Sequence, residues 1–209
     1  MADLFCGRCG WAREFAARGW KCFCFDLVEP SELPAGCEFI KCDVLQLGSM
    51  KGRIGVLAEI IGFLYSWEID FACASSPCEQ FALWGMRHYN PDPPYPELGI
   101  RLFNHAQKVL ADCGVPHVME NVRAAQQFVG QAKAHAGSFY LWGNAVPPIL
   151  PQGVVKGMTR KAMGERKYKG QEGWNANQRS GQRIKAARVA TIPPELAGCV
   201  ADFAESLHV

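Results

Sequence analysis

The chain of 209 residues is 49% hydrophobic and 20% charged, proportions that are typical of a single globular domain. Its longest apolar run, at 54–67, contains Glu59 and is shorter than the roughly 20 residues of a membrane span, which argues against a transmembrane protein. The net charge is only +2, and no basic segment precedes an apolar run near the N-terminus, so we expect no secretory signal and a cytoplasmic location.

The first third of the chain begins with short apolar strands around one helix. Strands are predicted at 2–5, 21–27 and 37–44, and a helix is predicted at 11–18, where Gly19 would end it. An apolar pattern at 50–65 predicts a second helix.

Strands and helices continue to alternate in the rest of the chain. A strand at 69–76 runs into Pro77, and a proline-rich loop separates it from a helix at 100–113. A strand at 115–122, a helix that begins at Arg123, a strand at 138–142 and a helix that begins at Pro193 follow.

This order predicts an α/β fold, Rossmann-like and doubly wound, with a mostly parallel sheet covered on both faces. In such folds, ligands bind beyond the carboxyl ends of the strands. Five positions fall at those ends and therefore share one edge: the loop after Phe5, Asp26, Asp43, the corner at 76–78 and Glu120.

The loop after the first strand is suited to a nucleoside-containing cofactor. Gly7 and Gly10 would let the backbone approach a ligand at the start of a helix. Asp26, at the end of the next strand, is placed to accept hydrogen bonds from ribose hydroxyls, and Asp43 to accept one from an adenine.

Cys78 and Glu120 are the candidate reactive groups. Cys78 follows a strand and Pro77, where the N-terminus of a helix would favour a nucleophilic thiolate. Glu120 ends an apolar strand, where a carboxylate is costly unless it is paired or functional. A thiolate and a carboxyl group on one edge suit covalent attack on a heterocycle.

Several motifs, in order over most of the chain, resemble those of the DNA cytosine 5-methyltransferases, including small members often carried by bacteriophages. DLFCGRCG at 3–10 is similar to the family's Asp-Leu-Phe-x-Gly-x-Gly-Gly cofactor loop. SSPCEQF at 75–81 is similar to its Pro-Pro-Cys-Gln nucleophile loop, and MENV at 119–122 to its Glu-Asn-Val strand end. QAKAH at 131–135 resembles a degenerate Gln-x-Arg-x-Arg motif.

The resemblance implies the class I S-adenosylmethionine-dependent methyltransferase fold and methyl transfer to carbon 5 of cytosine in duplex DNA, in the host cytoplasm if the protein is phage-encoded. Cys78 would add to carbon 6 of a flipped cytosine, and Glu120, next to Asn121, would bind ring nitrogen 3 and the exocyclic amine. The implied substrate-binding positions are Pro77, Arg123, Gln131, Lys133 and His135. The implied positions around S-adenosylmethionine are Asp3, Phe5, Gly7, Gly10, Trp11, Asp26, Leu27, Asp43 and Val44.

The chain departs from the family pattern at five positions. Cys9 replaces a glycine, Ser76 a proline and Glu79 a glutamine, while Lys133 and His135 replace two arginines. GNAVPP at 143–148 resembles the family's final Gly-Asn-x-Val motif but lies too early in the chain, so we expect a loop there.

Charge is concentrated in one segment, which sets the expected domain organisation. Residues 153–188 contain ten Lys or Arg and two Glu, so this segment carries +8 and the rest of the chain −6. Such a segment is either a solvated loop or a contact surface for nucleic acid, and Tyr168 and Trp174 favour the second because aromatic rings stack on bases. We therefore expect a catalytic domain at 1–152, a reduced target-recognition region at 153–188 and a C-terminal helix at 189–209 that returns to the catalytic domain.

The ten cysteines match neither a disulfide framework nor a metal site in their spacing, so we expect buried thiols and no metal. A redox role for Cys6 and Cys9 would leave Asp26, Cys78 and Glu120 unexplained.

Other functions remain open from the sequence. DPPY at 92–95 is the catalytic tetrapeptide of amino-methyltransferases, but it does not follow a predicted strand. The fold could also bind nucleic acid without catalysis, or act on RNA or a free cytosine nucleotide. The recognition sequence and the oligomeric state are not determined by the sequence.

Overall fold

The computed structural model describes residues 1–58, 62–85, 92–154 and 191–207. Of the predicted basic region at 153–188, only Gly153 and Val154 are among them, so the proposed recognition region lies outside the described residues.

A seven-stranded sheet forms the centre of the described structure. Its strands are β1 Ala2–Leu4, β2 Cys22–Asp26, β3 Cys37–Lys41, β7 Ala72–Ser75, β8 His117–Asn121, β9 Ala134–Ala136 and β10 Phe139–Gly143. They lie in the order β3-β2-β1-β7-β8-β10-β9. The first five strands in this order run parallel, and β10 is antiparallel to both of its neighbours. The predicted mixed α/β architecture with a mostly parallel sheet is confirmed, and it is compatible with a Rossmann-like fold.

Helices cover both faces of this sheet. One core cluster includes Trp11 and Phe15 of the first helix and Val200 of the last, and Val154 and Ile192 belong to it as well. Among the described residues, no helix has both the length and the apolar character to cross a bilayer. The helices are α1 Gly10–Ala17, α2 Glu79–Gly85, α3 Glu97–Cys113, α4 Gln126–Val129 and α5 Pro194–Ser206.

The second core cluster lies on the α3 face. Phe103 and Leu110 of α3 are fully buried there against strand residues such as Phe25 and Met119. Burying one such large apolar side chain contributes about 1.5–3 kcal/mol. Both faces of the sheet are thus buried, which explains why the strands are almost continuously apolar.

The prediction of a helix at 50–65 is wrong. Strands β4 Leu47–Met50, β5 Arg53–Ala58 and β6 Gly62–Glu68 form a separate antiparallel sheet there. A continuous apolar run carries no period that separates a helix from a buried strand. Gly52, at a φ of 72°, turns the chain between β4 and β5, and Ile54 lies opposite Trp67.

Two smaller differences concern the region after β8. The helix expected from Arg123 is a short 3-10 turn, Arg123–Ala125, followed by one turn of α4. Strand β9, with the sequence AHA, was not expected, because alanine has a low β propensity and only its pairing with β10 makes this segment a strand.

Candidate functional site

A cavity of about 270 Å³ lies beyond the carboxyl ends of β1, β2, β3 and β7. After β1 the chain adds β2 and β3 on one side and returns with β7 on the other, so the cavity lies at the switch point where α/β sheets bind ligands. Eight of the nine predicted cofactor positions line it: Phe5, Gly7, Gly10, Trp11, Asp26, Leu27, Asp43 and Val44.

Asp26 fixes the loop that follows β1. Its Oδ2 accepts a hydrogen bond from the Gly7 N–H at 2.9 Å, and its Oδ1 accepts from the N–H groups of Leu27 at 2.7 Å and Val28 at 3.3 Å. The loop needs this support because Phe5 and Cys9 have positive φ angles of 59° and 56°, which non-glycine residues rarely adopt. Asp26 therefore orders one wall of the cavity.

Asp43 and Trp11 each make a hydrogen bond that orders another part of the cavity wall. Asp43 Oδ1 accepts the Leu45 N–H at 2.9 Å and caps the 3-10 turn Val44–Gln46. The Trp11 indole N–H donates to the Ser75 hydroxyl at 2.9 Å, which links α1 to the end of β7. The Cys42 thiol also lines the cavity, and its burial raises its pKa to about 11.

Residues that directly precede α5, late in the sequence, complete the wall of the cavity. Thr191 and Ile192 line it, and a Cβ atom on Gly10 would lie 3.0 Å from the Ile192 backbone nitrogen. Glycine at position 10 thus permits this close packing, and an ion pair of 2.8 Å between Arg18 and Asp202 joins α1 to α5. Sequence reasoning missed Thr191 and Ile192, because no local pattern marks them.

Asp3 is the predicted cofactor residue that does not line the cavity. Its side chain is buried beneath α1, where Oδ2 accepts the Ala12 N–H at 3.2 Å. Burial raises the pKa of the Asp3 carboxyl well above its ordinary range. Asp3 therefore supports the start of α1, and it affects the loop after β1 only through this helix.

The loop that carries Cys78 leads directly into α2. The Cys78 carbonyl accepts the Ala82 N–H at 2.8 Å, so Cys78 immediately precedes the first turn of the helix. The Cys78 side chain is partly exposed, and Pro77 lines the cavity. The structure thus brings the predicted nucleophile to the rim of the predicted cofactor cavity.

Asn121 ties this loop to the end of β8. Its side-chain amide is fully buried and donates to both the carbonyl and the hydroxyl of Ser76, each at 3.0 Å. Its Oδ1 accepts the Val122 N–H at 2.8 Å. Ser76, where the family pattern has proline, therefore supplies a hydroxyl acceptor that a proline would lack.

Glu120 lies beside the end of β7. It is 5% exposed, and the parallel pairing of β7 and β8 aligns it with Ser75. Aligned residues on neighbouring strands point to the same face of a sheet, so Glu120 is on the face of Ser75 and Trp11. The carboxyl group and Cys78 consequently flank the end of β7 at one edge of the sheet.

The remaining predicted substrate residues are spread more widely. His135 pairs with Tyr140 across β9 and β10, with their rings stacked at 4.9 Å, whereas Ala134 is aligned through Leu141 with Glu120. His135 therefore lies on the opposite face from Glu120. Three further predicted residues are exposed: Arg123 follows the end of β8, and Gln131 and Lys133 precede β9.

The DPPY sequence lies in the loop before α3, and residues 86–91 ahead of it are outside the described part of the chain. Its Tyr95 packs edge-on against Trp84, with ring centroids 6.2 Å apart, and against Phe128 at 5.6 Å. Tyr95 therefore contributes to an aromatic cluster beside α2.

The chain matches no model of a known protein family, and a comparison with curated proteins finds no match.

Proposed function

We propose that the protein transfers a methyl group from S-adenosylmethionine to carbon 5 of cytosine in DNA, on a class I methyltransferase fold. One observation carries this proposal: the cavity lined by the glycine loop, Asp26 and Asp43 adjoins the loop of Cys78, which Asn121 ties to the strand of Glu120. A cofactor cradle, a nucleophile and a buried carboxyl group thus meet at one sheet edge.

The cavity offers groups that suit a nucleoside. The Asp26 and Asp43 carboxylates face it and have lone pairs for hydroxyl and amine donors beyond the backbone N–H groups that they already accept. Phe5 and Trp11 supply aromatic surface in the same wall. S-adenosylmethionine, when bound there, supplies the methyl group.

Cys78 and Glu120 have separate roles in the reaction at the cytosine base. The Cys78 thiolate forms a bond to carbon 6, the electron pair of the 5,6 double bond moves to carbon 5, and Glu120 stabilises the resulting charge through a proton shared with ring nitrogen 3. Carbon 5 takes the methyl group as the bond from that methyl to the sulfonium sulfur breaks and leaves a thioether. Carbon 5 then loses its proton to water, the 5,6 double bond re-forms, and the bond between carbon 6 and the Cys78 sulfur breaks. The base must leave the duplex to reach these groups.

Trapping of the covalent adduct tests the proposal. The full chain is incubated with S-adenosylmethionine and duplex DNA that contains 5-fluorocytosine, in which fluorine replaces the proton that must leave carbon 5. We expect a denaturation-resistant complex with the protein and with Cys199→Ser, since Cys199 lies in α5 outside the cavity lining, and no complex with Cys78→Ser. An absence of adduct despite measurable cofactor binding would contradict the proposal and favour binding without turnover, or RNA or free nucleotide as substrate.

Asp26→Ala is expected to weaken binding of S-adenosylmethionine by about 10- to 100-fold, because hydrogen bonds to a charged group contribute about 1.5–3 kcal/mol and the loop of Gly7 loses its anchor. Isothermal titration calorimetry measures the change. Asp112→Ala, which removes an exposed carboxylate paired with Lys108 on α3, is the control and should bind normally. Equal affinities in the two variants would exclude Asp26 from the cofactor site.

Asn121→Ala is expected to reduce turnover by about 10- to 100-fold, because the loop of Cys78 loses two hydrogen bonds and its geometry relaxes. The affinity for S-adenosylmethionine should hardly change. Asn144→Ala is a matched control, since it also removes two side-chain hydrogen bonds to the backbone, to His117 and Val115, at the other end of β8. If both variants lost turnover in proportion to their stability, Asn121 would have only a structural role.

A further inference from the structure

Three buried thiols meet beneath the loop that follows β1. Cys6 and Cys9 come from this loop and Cys24 from the centre of β2, and their sulfur atoms all lie within 4.8 Å of one another. The exposed fractions of the three residues are 5%, 0% and 0%. We refer to Cys6, Cys9 and Cys24 as the thiol cluster.

The spacing of the thiol cluster suits a single metal ion. At a Zn–S distance of about 2.3 Å, ligands in tetrahedral positions are separated by about 3.8 Å, which is inside the observed limit. Cys24 belongs to β2, and Cys6 and Cys9 belong to the loop that joins the adjacent parallel strand β1 to α1. The sheet therefore fixes one ligand and the start of the loop that supplies the other two, and a ligand on a rigid element keeps its position better than one on a free loop.

A fourth thiol lies near the cluster on the neighbouring strand. Cys37 of β3 is aligned with Cys22 of β2, and its sulfur lies 4.0 Å from the Ala12 carbonyl oxygen. It is partly exposed and does not belong to the group of sulfur atoms that lie within 4.8 Å of one another, so it becomes a fourth ligand only if its side chain moves. Three thiolates around a divalent cation carry a net charge of −1.

We propose that Cys6, Cys9 and Cys24 bind Zn²⁺ as a structural site that fastens the loop after β1 to β2. Each thiol loses its proton to solvent as its sulfur forms a bond to the ion, so three S–H bonds are exchanged for three Zn–S bonds without any change of oxidation state. The site lies beneath the wall of the cavity, and it does not depend on the proposed methyl transfer.

Metal binding by the reduced full chain tests this proposal. With Co²⁺ as the probe, we expect one equivalent to bind with thiolate-to-cobalt charge-transfer absorption, and Zn²⁺ to displace it. X-ray absorption of the zinc-loaded protein should show three or four sulfur ligands at about 2.3 Å. Zinc should also raise Tm by roughly 5–10 °C at saturating concentration.

Single substitutions identify the ligands. Cys24→Ser should lower the affinity for Co²⁺ by at least 100-fold, whereas Cys113→Ser and Cys199→Ser, at thiols outside the cluster, should bind like the unmodified chain. Because Cys24→Ser could also disturb the core, the sulfur count in the unmodified chain is the decisive measurement. No stoichiometric metal, or a metal with only nitrogen and oxygen ligands, would overturn the proposal. A disulfide between Cys6 and Cys9, with no cobalt absorption after reduction, would replace it with a redox pair.

Discussion

Glu120→Gln is expected to lower kcat by about 10²- to 10⁴-fold, the usual contribution of a group that stabilises or transfers a proton in the transition state. In the proposed reaction, ring nitrogen 3 needs an acidic proton when carbon 6 is attacked. Glutamine has nearly the same shape as glutamate but cannot hold this proton. The residue is buried at the end of β8, so the isosteric change keeps the packing. Single-turnover methylation of duplex DNA measures the effect.

Glu97→Gln is the control for this substitution, because Glu97 is exposed in the first turn of α3 and does not line the cavity. Its turnover should equal that of the unmodified chain. The adduct with 5-fluorocytosine should form more slowly in Glu120→Gln but at the same cysteine. If Glu120→Gln kept full activity, the carboxyl group would have no part in activating the base.

Gly143→Ala is expected to destabilise the protein by about 3–5 kcal/mol. Gly143 ends β10 at a φ of 116°, and an added Cβ atom would collide with the carbonyl oxygen of His117 at the start of β8. Because the added Cβ atom would meet backbone atoms of His117, no side-chain movement can relieve the collision. The pairing of β8 and β10 must therefore open. Urea unfolding followed by circular dichroism measures the loss.

Gly114→Ala is the control that measures the cost of a positive φ angle without a steric collision. Gly114 caps α3 at a φ of 73°, but a Cβ atom there would meet nothing within 4 Å. Its replacement should therefore cost only about 1–2 kcal/mol, the price of a left-handed conformation for an L-residue. If the two variants lost equal stability, the contact between Gly143 and His117 would not be limiting.

The sequence allowed much of the carboxyl edge to be predicted because β2 and β8 are short apolar runs that end in polar residues. Asp26 and Glu120 were placed in this way, and the structure puts both at strand ends. The same reasoning failed at 50–65, where a largely apolar run gave no period that separates helix from strand. The strands β5 and β6 depend there on pairing with each other.

Contacts between distant parts of the chain were beyond prediction from local patterns. The spacing of Cys6 and Cys9 gives no hint of Cys24, which joins them only because β1 and β2 are adjacent. The hydrogen bonds from Asn121 to Ser76 span 45 residues. The residues that close the cavity, Thr191 and Ile192, come from the entrance to the last helix.

Val154 and Ile192, which flank residues 155–191, belong to one core cluster with Trp11 and Phe15 of α1. The chain therefore leaves and re-enters the same packed layer. Because Ile192 also lines the cavity, that layer supports the cavity wall as well as the core.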